Sequence, residues 1–225
     1  MPVSDILKKI FPYGYYKMRR INEQIYFKTI RKKLKNKDFT IISNNCVGGL
    51  IYHSLGCRFN SPTINLSIED GAEFLEFVKN VKYYSDCELI EEKNNTFKYP
   101  VGILKAKDKK HKDITIHFMH YDDFESAKEK WIDRYKRVNY NNIYYIWEFY
   151  DNRNDINLLK EFDKLSINKI ALLHKKIDGI KDFYVFDCYK KEDDVAKIMD
   201  YKGITGKRNL DDFNYVEFIN SNMSK

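Results

Sequence analysis

The sequence lacks the features of secreted and membrane-spanning proteins. No apolar run approaches the length that spans a bilayer, and Lys8 and Lys9 interrupt the N-terminal apolar residues where a signal peptide would continue. Four cysteines are widely spaced, without a C-x-x-C pair, at Cys46, Cys57, Cys87 and Cys188. A chain of 225 residues does not need the disulfide framework of a small secreted domain. The sequence therefore predicts a cytoplasmic protein with reduced thiols.

Common motifs for nucleotides and metal ions are also missing. Gly48-Gly49 is not followed by the Lys and Ser or Thr of a P-loop, and the three spaced glycines of a dinucleotide-binding turn do not occur. The body of the chain has no clear Asp-x-Asp metal motif. It contains neither an internal repeat nor a low-complexity linker. We therefore expect no cofactor and no resident metal.

Basic charge is concentrated at one end of the chain. The formal net charge is +7, but residues 1–38 alone contain eleven Lys or Arg residues and three acids, a local charge of +8. The remaining residues carry 29 basic and 30 acidic side chains and are close to neutral. A nucleic-acid-binding surface needs basic charge spread over the binding face. The distribution therefore predicts no nucleic-acid partner.

Residues 1–37 are predicted to form a basic helical appendage. Apolar residues recur there at roughly helical spacing among basic ones, at Met18, Ile21, Ile25, Ile30 and Leu34. Such a helix suits an anionic membrane surface, held by apolar burial and by about 1 kcal/mol per basic residue near the headgroups. It equally suits a solvated helix packed on its own domain, and the sequence leaves both alternatives open.

Residues 38–225 are predicted to form one α/β domain. Short runs of β-branched and aromatic residues alternate with amphipathic segments, which is typical of strands followed by helices. The predicted strands are residues 39–42, 63–66, 99–104, 114–118, 143–147, 169–173 and 183–186. Helices are predicted at residues 50–55, 72–81, 155–165, 193–199 and 210–218, with another beginning at residues 122–123. This pattern predicts a layered α/β/α fold with a mixed, partly parallel sheet.

The strongest candidate for a functional loop follows the first predicted strand. Ligands of open α/β sheets bind beyond the carboxyl ends of strands, against the first turn of the next helix. Asn44 and Asn45 lie there, and Gly48 and Gly49 allow the backbone to approach an anion or a developing oxyanion closely. Cys46 is a candidate nucleophile if the helix N-terminus lowers its pKa. The alternative is an asparagine turn with a small buried cysteine.

Two histidines lie near the end of the predicted strand at residues 114–118. A regular strand points His117 and His120 to opposite faces, so they are not expected to share a metal ion. His120 lies at the strand's end, where it would act as a general base toward a thiol or a sugar hydroxyl. His117 is a substrate-binding candidate, and its alternative is a half-buried histidine with satisfied hydrogen bonds.

A third group lies on the helix that follows His120. Trp131, Arg134 and Arg137 are spaced three residues apart and line one helical stripe. Arginines on one face can hold a phosphate or carboxylate in bidentate fashion. The alternative is an exposed stripe of ion pairs. A polar loop at residues 151–155 is also placed to line a site, although an ordinary turn has the same composition.

These motifs together resemble the bacterial domain-of-unknown-function 1919 family, whose members are often described as exopolysaccharide or capsule biosynthesis proteins. The matching motifs, in order, are residues 42–46 with Gly48-Gly49, residues 60–63, 99–102 and 116–121, then Ala127, Lys130-Trp131, Arg134, Arg137 and Asn139. Val47 departs from the pattern, where an aromatic residue is common. The resemblance implies a role in building surface polysaccharide, and it adds Asn60 and Ser61 to the expected substrate-binding residues. It supplies no established mechanism.

The leading hypothesis is a transferase that modifies a saccharide precursor, with acyl transfer as the first subtype to test. Asn45 and Gly48 would form the oxyanion hole, and either Cys46 or a substrate hydroxyl activated by His120 would attack. The two helical arginines would hold a diphosphate or carboxylate. The donor substrate would be an acyl-CoA or a nucleotide sugar.

Two alternatives belong to other classes. The first is a glycosyltransferase-like enzyme that binds a nucleotide sugar at the same crevice. The second is a non-catalytic saccharide-binding or assembly factor that docks on a membrane glycosyltransferase through residues 1–37. In each case the protein would be cytoplasmic, with peripheral contact at the inner face of the membrane.

Overall fold

A computed structural model describes residues 8–189 and 196–221 of the chain. These residues form two compact units. The α/β unit comprises residues 38–52 and 58–185, and the helical unit comprises residues 8–37, 53–57, 186–189 and 196–221.

Strands of the α/β unit form two sheets. In chain order they are β1 (Thr40–Ser43), β2 (Glu88–Glu91), β3 (Val101–Lys105), β4 (Ile114–His117), β5 (Ile143–Glu148), β6 (Asn168–Leu173) and β7 (Phe183–Val185). The first sheet is parallel throughout, in the order β1-β5-β6-β7, and the second is antiparallel, in the order β2-β3-β4. In the parallel sheet Thr40 is opposite Ile143, and Tyr144 is opposite Asn168. All residues of β1 and β5 are buried, as is typical of parallel strands covered on both faces.

Helices connect and cover these strands. They are α1 (Pro12–Lys33), α2 (Val47–Leu55), α3 (Gly71–Lys79), α4 (Val81–Tyr84), α5 (Phe124–Tyr135), α6 (Ile156–Asp163) and α7 (Tyr215–Asn220). Asp70, Asp123 and Asp155 cap α3, α5 and α6 by accepting hydrogen bonds from backbone N–H groups of the first turn. Each such cap contributes about 1 kcal/mol, because it satisfies donors that the helix leaves unpaired.

Aromatic side chains pack on both faces of the parallel sheet. Trp147 of β5 contacts Phe74 of α3 and Phe162 of α6, with ring centroids 5.3 and 5.4 Å apart. Alternation along the strand places Tyr144 on the opposite face. There it meets Phe39, whose ring stacks on Tyr52 of α2 at 5.1 Å. Helices therefore cover the sheet from two sides, and the α/β fold class is confirmed. The parallel and antiparallel strands lie in separate sheets.

The helical unit is built around α1. Short 3-10 helices at Lys197–Met199, Gly203–Thr205 and Asn209–Asp212 lie in the same unit. The side-chain amide of Asn22 donates to the carbonyl of Ile204 at 2.6 Å, and Arg208 pairs with Glu23 at 3.3 Å. These contacts group the C-terminal residues with the N-terminal helix, whereas the sequence suggested a boundary at residue 37 alone.

Two predicted elements differ from the structure. The strand predicted at residues 63–66 does not form, because Asn65 has a left-handed φ of 62°, which interrupts an extended run. Of the helix expected at residues 193–199, residues 193–195 lie outside the described part, and Lys197–Met199 forms a 3-10 turn. None of the described helices is both long and apolar enough to cross a membrane.

Candidate functional site

Asn44 joins the carboxyl ends of two neighbouring strands. Its side-chain amide donates to the carbonyl of Glu148 at 3.1 Å, and the N–H of Glu148 donates to its side-chain oxygen at 3.0 Å. The side chain therefore extends the pairing of β1 and β5 beyond their last backbone pair. This bond fixes the edge of the sheet where the predicted loop begins.

The loop that follows is held by its own hydrogen bonds. The Asn45 side-chain oxygen accepts from the N–H of Val47 at 3.1 Å. Ser43 Oγ accepts from the N–H of Gly48 at 3.1 Å and donates to the Asn45 carbonyl at 2.7 Å. A Cβ at Gly48 would lie 2.8 Å from Ser43 Oγ, so this close approach requires glycine. Since the N–H of Gly48 is engaged within the chain, the loop does not present it to an oxyanion as the sequence suggested.

Glu148 provides a buried carboxylate at the end of β5. Glu148 is 1% exposed. The Asn45 amide donates to one carboxylate oxygen, and the Tyr150 hydroxyl donates to the other. A buried carboxylate with donors on both oxygens is held in one geometry and is costly to disturb.

Cys46 lies beside this carboxylate and is half-buried. Burial, and secondarily the negative charge of Glu148, raise the pKa of the Cys46 thiol from 9.0 to about 11. The thiolate is the nucleophilic form, so a raised pKa opposes nucleophilic catalysis at neutral pH. The environment of Cys46 is thus the reverse of the electropositive one that the nucleophile hypothesis required.

Asp151 and His174 form a pair at the same edge. Nε2 of His174 lies 2.7 Å from Oδ1 of Asp151, and Lys175 pairs with the second carboxylate oxygen. Burial alone would raise the pKa of Asp151, but the hydrogen bonds from Lys175 and His174 outweigh it and hold the pKa below its usual value. An ionised carboxylate is an acceptor only, so Nε2 of His174 carries a proton and donates it to the Asp151 carboxylate. This is the arrangement of a base oriented by a carboxylate.

The two groups of residues belong to one network. The ring of His174 stacks on that of Tyr150 with centroids 5.7 Å apart, and Tyr150 bonds to Glu148. Asn45 follows β1, Tyr150 follows β5 and His174 follows β6, which are adjacent strands. Three parallel strands thus deliver polar side chains to one edge, at the carboxyl ends where α/β sheets bind ligands.

His117 lies next to this edge, whereas His120 is exposed in the turn after β4. Ser67 pairs with the backbone of His117, and the N–H of the next residue, Ile68, donates to the Asn44 carbonyl at 2.9 Å. The His117 residue is 8% exposed, and its Nδ1 has no hydrogen-bond partner in the described part of the chain.

The predicted stripe on α5 packs against the protein itself. Trp131 is 3% exposed and contacts Phe77 at 6.0 Å in the core. Arg134 donates to the carbonyl of Ile64 at 2.9 Å and to the Tyr121 hydroxyl at 2.7 Å. These are core and loop-holding contacts, and they differ from the ligand clamp that the helical spacing suggested.

Arg137, Asn60 and Ser61 likewise hold the segment after α2. Arg137 donates to the Phe59 carbonyl through Nε at 3.1 Å and through a second guanidinium nitrogen at 3.0 Å. The Asn60 carbonyl accepts from the Thr40 hydroxyl at 2.9 Å. The Ser61 hydroxyl is buried and lies 3.1 Å from that of Thr63, which accepts from the backbone of β1. The segment therefore fixes β1 from its side.

Glu148 and His174 were not singled out from the sequence. Glu148 ends the apolar run that forms β5, and His174 directly follows the run that forms β6. This position at the end of a buried parallel strand was the feature of the sequence that could have identified them. Within residues 8–189 and 196–221, no three His, Cys, Asp or Glu side chains are grouped to hold a metal ion.

Comparison with known proteins gives a family match over most of the chain. The family described as domain of unknown function 1919 matches residues 17–220. An uncharacterised protein of Haemophilus influenzae is 35% identical over 196 residues, which cover 86% of this chain and 89% of the relative. Both matches include β1, β5 and β6 and hence the strand ends that carry the polar network.

Proposed function

The chain belongs to the domain-of-unknown-function 1919 family, and we propose that it is a transferase that acylates a saccharide precursor of a bacterial surface polysaccharide. The observation that carries the proposed reaction is the Asp151–His174 pair at the carboxyl ends of the parallel strands. The substrate class comes from the resemblance of the sequence to proteins of exopolysaccharide and capsule synthesis.

The reaction needs a base for a sugar hydroxyl. The His174 imidazole takes the hydroxyl proton while the hydroxyl oxygen attacks the thioester carbonyl of an acyl-CoA. The new C–O bond forms and the C–S bond breaks, and the departing thiolate recovers the proton from the imidazolium. Asp151 orients the ring and stabilises the imidazolium that exists between these two transfers.

Glu148 holds the neighbouring part of the site in place. Its bonds to Asn45 and Tyr150 fix the loop after β1 and the ring on which His174 stacks. Cys46 then lines the site without attacking, because its raised pKa keeps the thiol protonated. Direct transfer therefore replaces the covalent version, and His174 replaces His120 as the proposed base.

The test is an acyl-transfer assay with acetyl-CoA and a panel of nucleotide sugars. Release of free CoA and the mass of the acylated sugar are measured for the wild type, His174→Gln, Asp151→Asn and Cys46→Ala. A positioned general base contributes about 10²- to 10⁴-fold. We expect His174→Gln to lose turnover by that factor and Cys46→Ala to keep it near the wild-type level.

A matched control is available in the α/β unit. His111 pairs with Asp108 at 2.9 Å in the turn between β3 and β4, so His111→Gln removes an equivalent pair elsewhere. Turnover lost equally in Cys46→Ala and His174→Gln would restore the covalent mechanism. Release of a nucleoside diphosphate without CoA release would instead identify glycosyl transfer. Saccharide binding with no turnover would identify an assembly factor.

The proposal also includes a compartment and a partner. We place the reaction in the cytoplasm, in keeping with the reduced thiols of Cys46, Cys57 and Cys87. Residues 1–37 are proposed to contact the inner face of the membrane or a membrane glycosyltransferase. Co-purification of a membrane fraction with the full chain, and its loss on mutation of α1, tests this placement.

A further inference from the structure

One face of α1 exposes an apolar stripe. Phe11, Met18, Ile21 and Ile25 are 63%, 49%, 46% and 58% exposed. With Gly14 they are spaced three or four residues apart, so they lie along a single line on the helix surface. An apolar groove of about 360 Å³ runs over the N-terminal part of this stripe. Scattered apolar residues are normal on protein surfaces, but a continuous exposed stripe marks an interaction site.

Cations border the stripe. Lys17, Arg20 and Lys28 are exposed on the same side of the helix, beside Ile21 and Ile25. The face therefore combines an apolar centre with a positively charged margin.

The one acid of α1 lies away from this face. Glu23 is largely buried, where it pairs with Arg208 and accepts from the Tyr201 hydroxyl at 2.6 Å. No carboxylate of α1 therefore neutralises the exposed cations.

The apolar residues expected to form one stripe are divided between two faces. Ile30 and Leu34 are 7% and 6% exposed, and Phe27 is 1% exposed. Met18 and Ile21 are exposed. Burial thus accounts for the C-terminal half of the pattern and leaves the N-terminal half without a covering element in the described part of the chain.

We propose that this face docks on an anionic lipid bilayer. Isoleucine, methionine and phenylalanine side chains would enter the boundary between headgroups and acyl chains, while the flanking cations contact anionic headgroups. A second copy of the chain would bring the same cations together and be repelled. A nucleic acid would satisfy the cations but leave the apolar stripe in water. The bilayer satisfies both components. This docking specifies the membrane contact proposed above for residues 1–37, and it does not depend on which reaction the strand ends support.

The experiment is co-sedimentation of the full chain with two kinds of vesicle, phosphatidylcholine alone and phosphatidylcholine with 30% phosphatidylglycerol. The wild type should bind the anionic vesicles, and binding should weaken as NaCl is raised from about 0.1 to 0.5 M, because salt screens the charge attraction. Each basic residue near the surface contributes about 1 kcal/mol, or about fivefold. Lys17→Gln with Lys28→Gln should therefore weaken binding about 25-fold.

The apolar arm uses Ile21→Ser with Ile25→Ser, which should weaken binding to the anionic vesicles by at least tenfold. Matched controls exist in the α/β unit. Ile132 and Ile156 are 45% and 38% exposed, so their double serine variant removes a similar apolar surface elsewhere. Lys109→Gln with Lys110→Gln likewise removes two exposed cations from the turn between β3 and β4. Both control pairs should bind as the wild type does.

Three results would overturn the proposal. The first is the absence of binding to either vesicle by the folded wild type. The second is an equal loss of binding in the control pairs. The third is a dimer in light scattering that the isoleucine variant abolishes while vesicles fail to bind, since that would assign the stripe to a second copy. Thermal unfolding of each variant verifies that it is folded, and these outcomes are independent of any transferase activity.

Discussion

Cys46 should react slowly with alkylating agents and respond to pH in a characteristic way. Burial and the nearby charge of Glu148 raise its pKa from 9.0 to about 11. The reacting species is the thiolate. The rate at which iodoacetamide alkylates Cys46 should therefore rise about tenfold for each pH unit across pH 7 to 10 and level off only near pH 11.

The magnitude follows from the size of that shift. Because the pKa of Cys46 is higher by about two, its thiolate fraction at pH 7.5 is about 100-fold lower than that of an ordinary thiol. A more basic thiolate is intrinsically more nucleophilic, which restores about tenfold. The net rate should therefore be about one tenth of that for the same cysteine in the unfolded chain, before any further slowing by limited access.

The assay is alkylation followed by trypsin digestion and mass spectrometry. Cleavage after Lys37 and Arg58 leaves Cys46 and Cys57 on one peptide, so fragment ions must assign each modification. Protein unfolded in guanidinium chloride supplies the reference rate. Glu148→Gln should lower the Cys46 pKa and increase its rate, because it removes the repelling charge. A plateau near pH 8 or below in the folded protein would refute this reasoning and revive Cys46 as a nucleophile.

Three substitutions test the packing through urea or thermal unfolding. Gly48→Ala should lower the free energy of unfolding by about 1–3 kcal/mol, because its Cβ would approach Ser43 Oγ to 2.8 Å. An unchanged unfolding midpoint would contradict the loop geometry. Gly206→Ala should lower the free energy of unfolding further, by about 3 kcal/mol or more, since φ is 75° and the Cβ would meet the α1 backbone at 2.1 Å. A mild effect would argue against this packing on α1. Arg137→Lys should cost about 1–2 kcal/mol through weaker bonding to the Phe59 carbonyl, and a stability equal to wild type would show that those bonds contribute little.

The buried parallel strands were the easiest elements to predict. β5 and β6 lie within one residue of their predicted bounds, because a continuous apolar run bounded by polar residues is typical of a strand covered on both faces. β2 was not predicted, since Glu88 and Glu91 at its ends obscure the short apolar pair between them. The grouping of α1 with the C-terminal residues depends on contacts such as Asn22 to Ile204, 182 residues apart, which no local pattern reveals.

The candidate site could be predicted in part for the same reason. Asn44 and Asn45 were identified because they follow a strand, and they do lie at the edge of the parallel sheet. Glu148 is 103 residues from Asn45, so their contact depends on the strand order β1-β5-β6, which the sequence does not specify. His174 likewise becomes a candidate base only through its contact with Asp151, which follows the neighbouring strand. Helical spacing identified Trp131 but could not distinguish a core position from a binding face.

The most direct test of the proposed site is acyl transfer by His174→Gln compared with His120→Gln and His111→Gln. The proposed chemistry requires the base that Asp151 orients, so His174→Gln should reduce turnover by about 10²-fold or more while the other two variants remain near the wild-type rate. A folded His174→Gln variant with full activity, or a comparable loss in His120→Gln alone, would contradict the assignment of the site to the ends of the parallel strands.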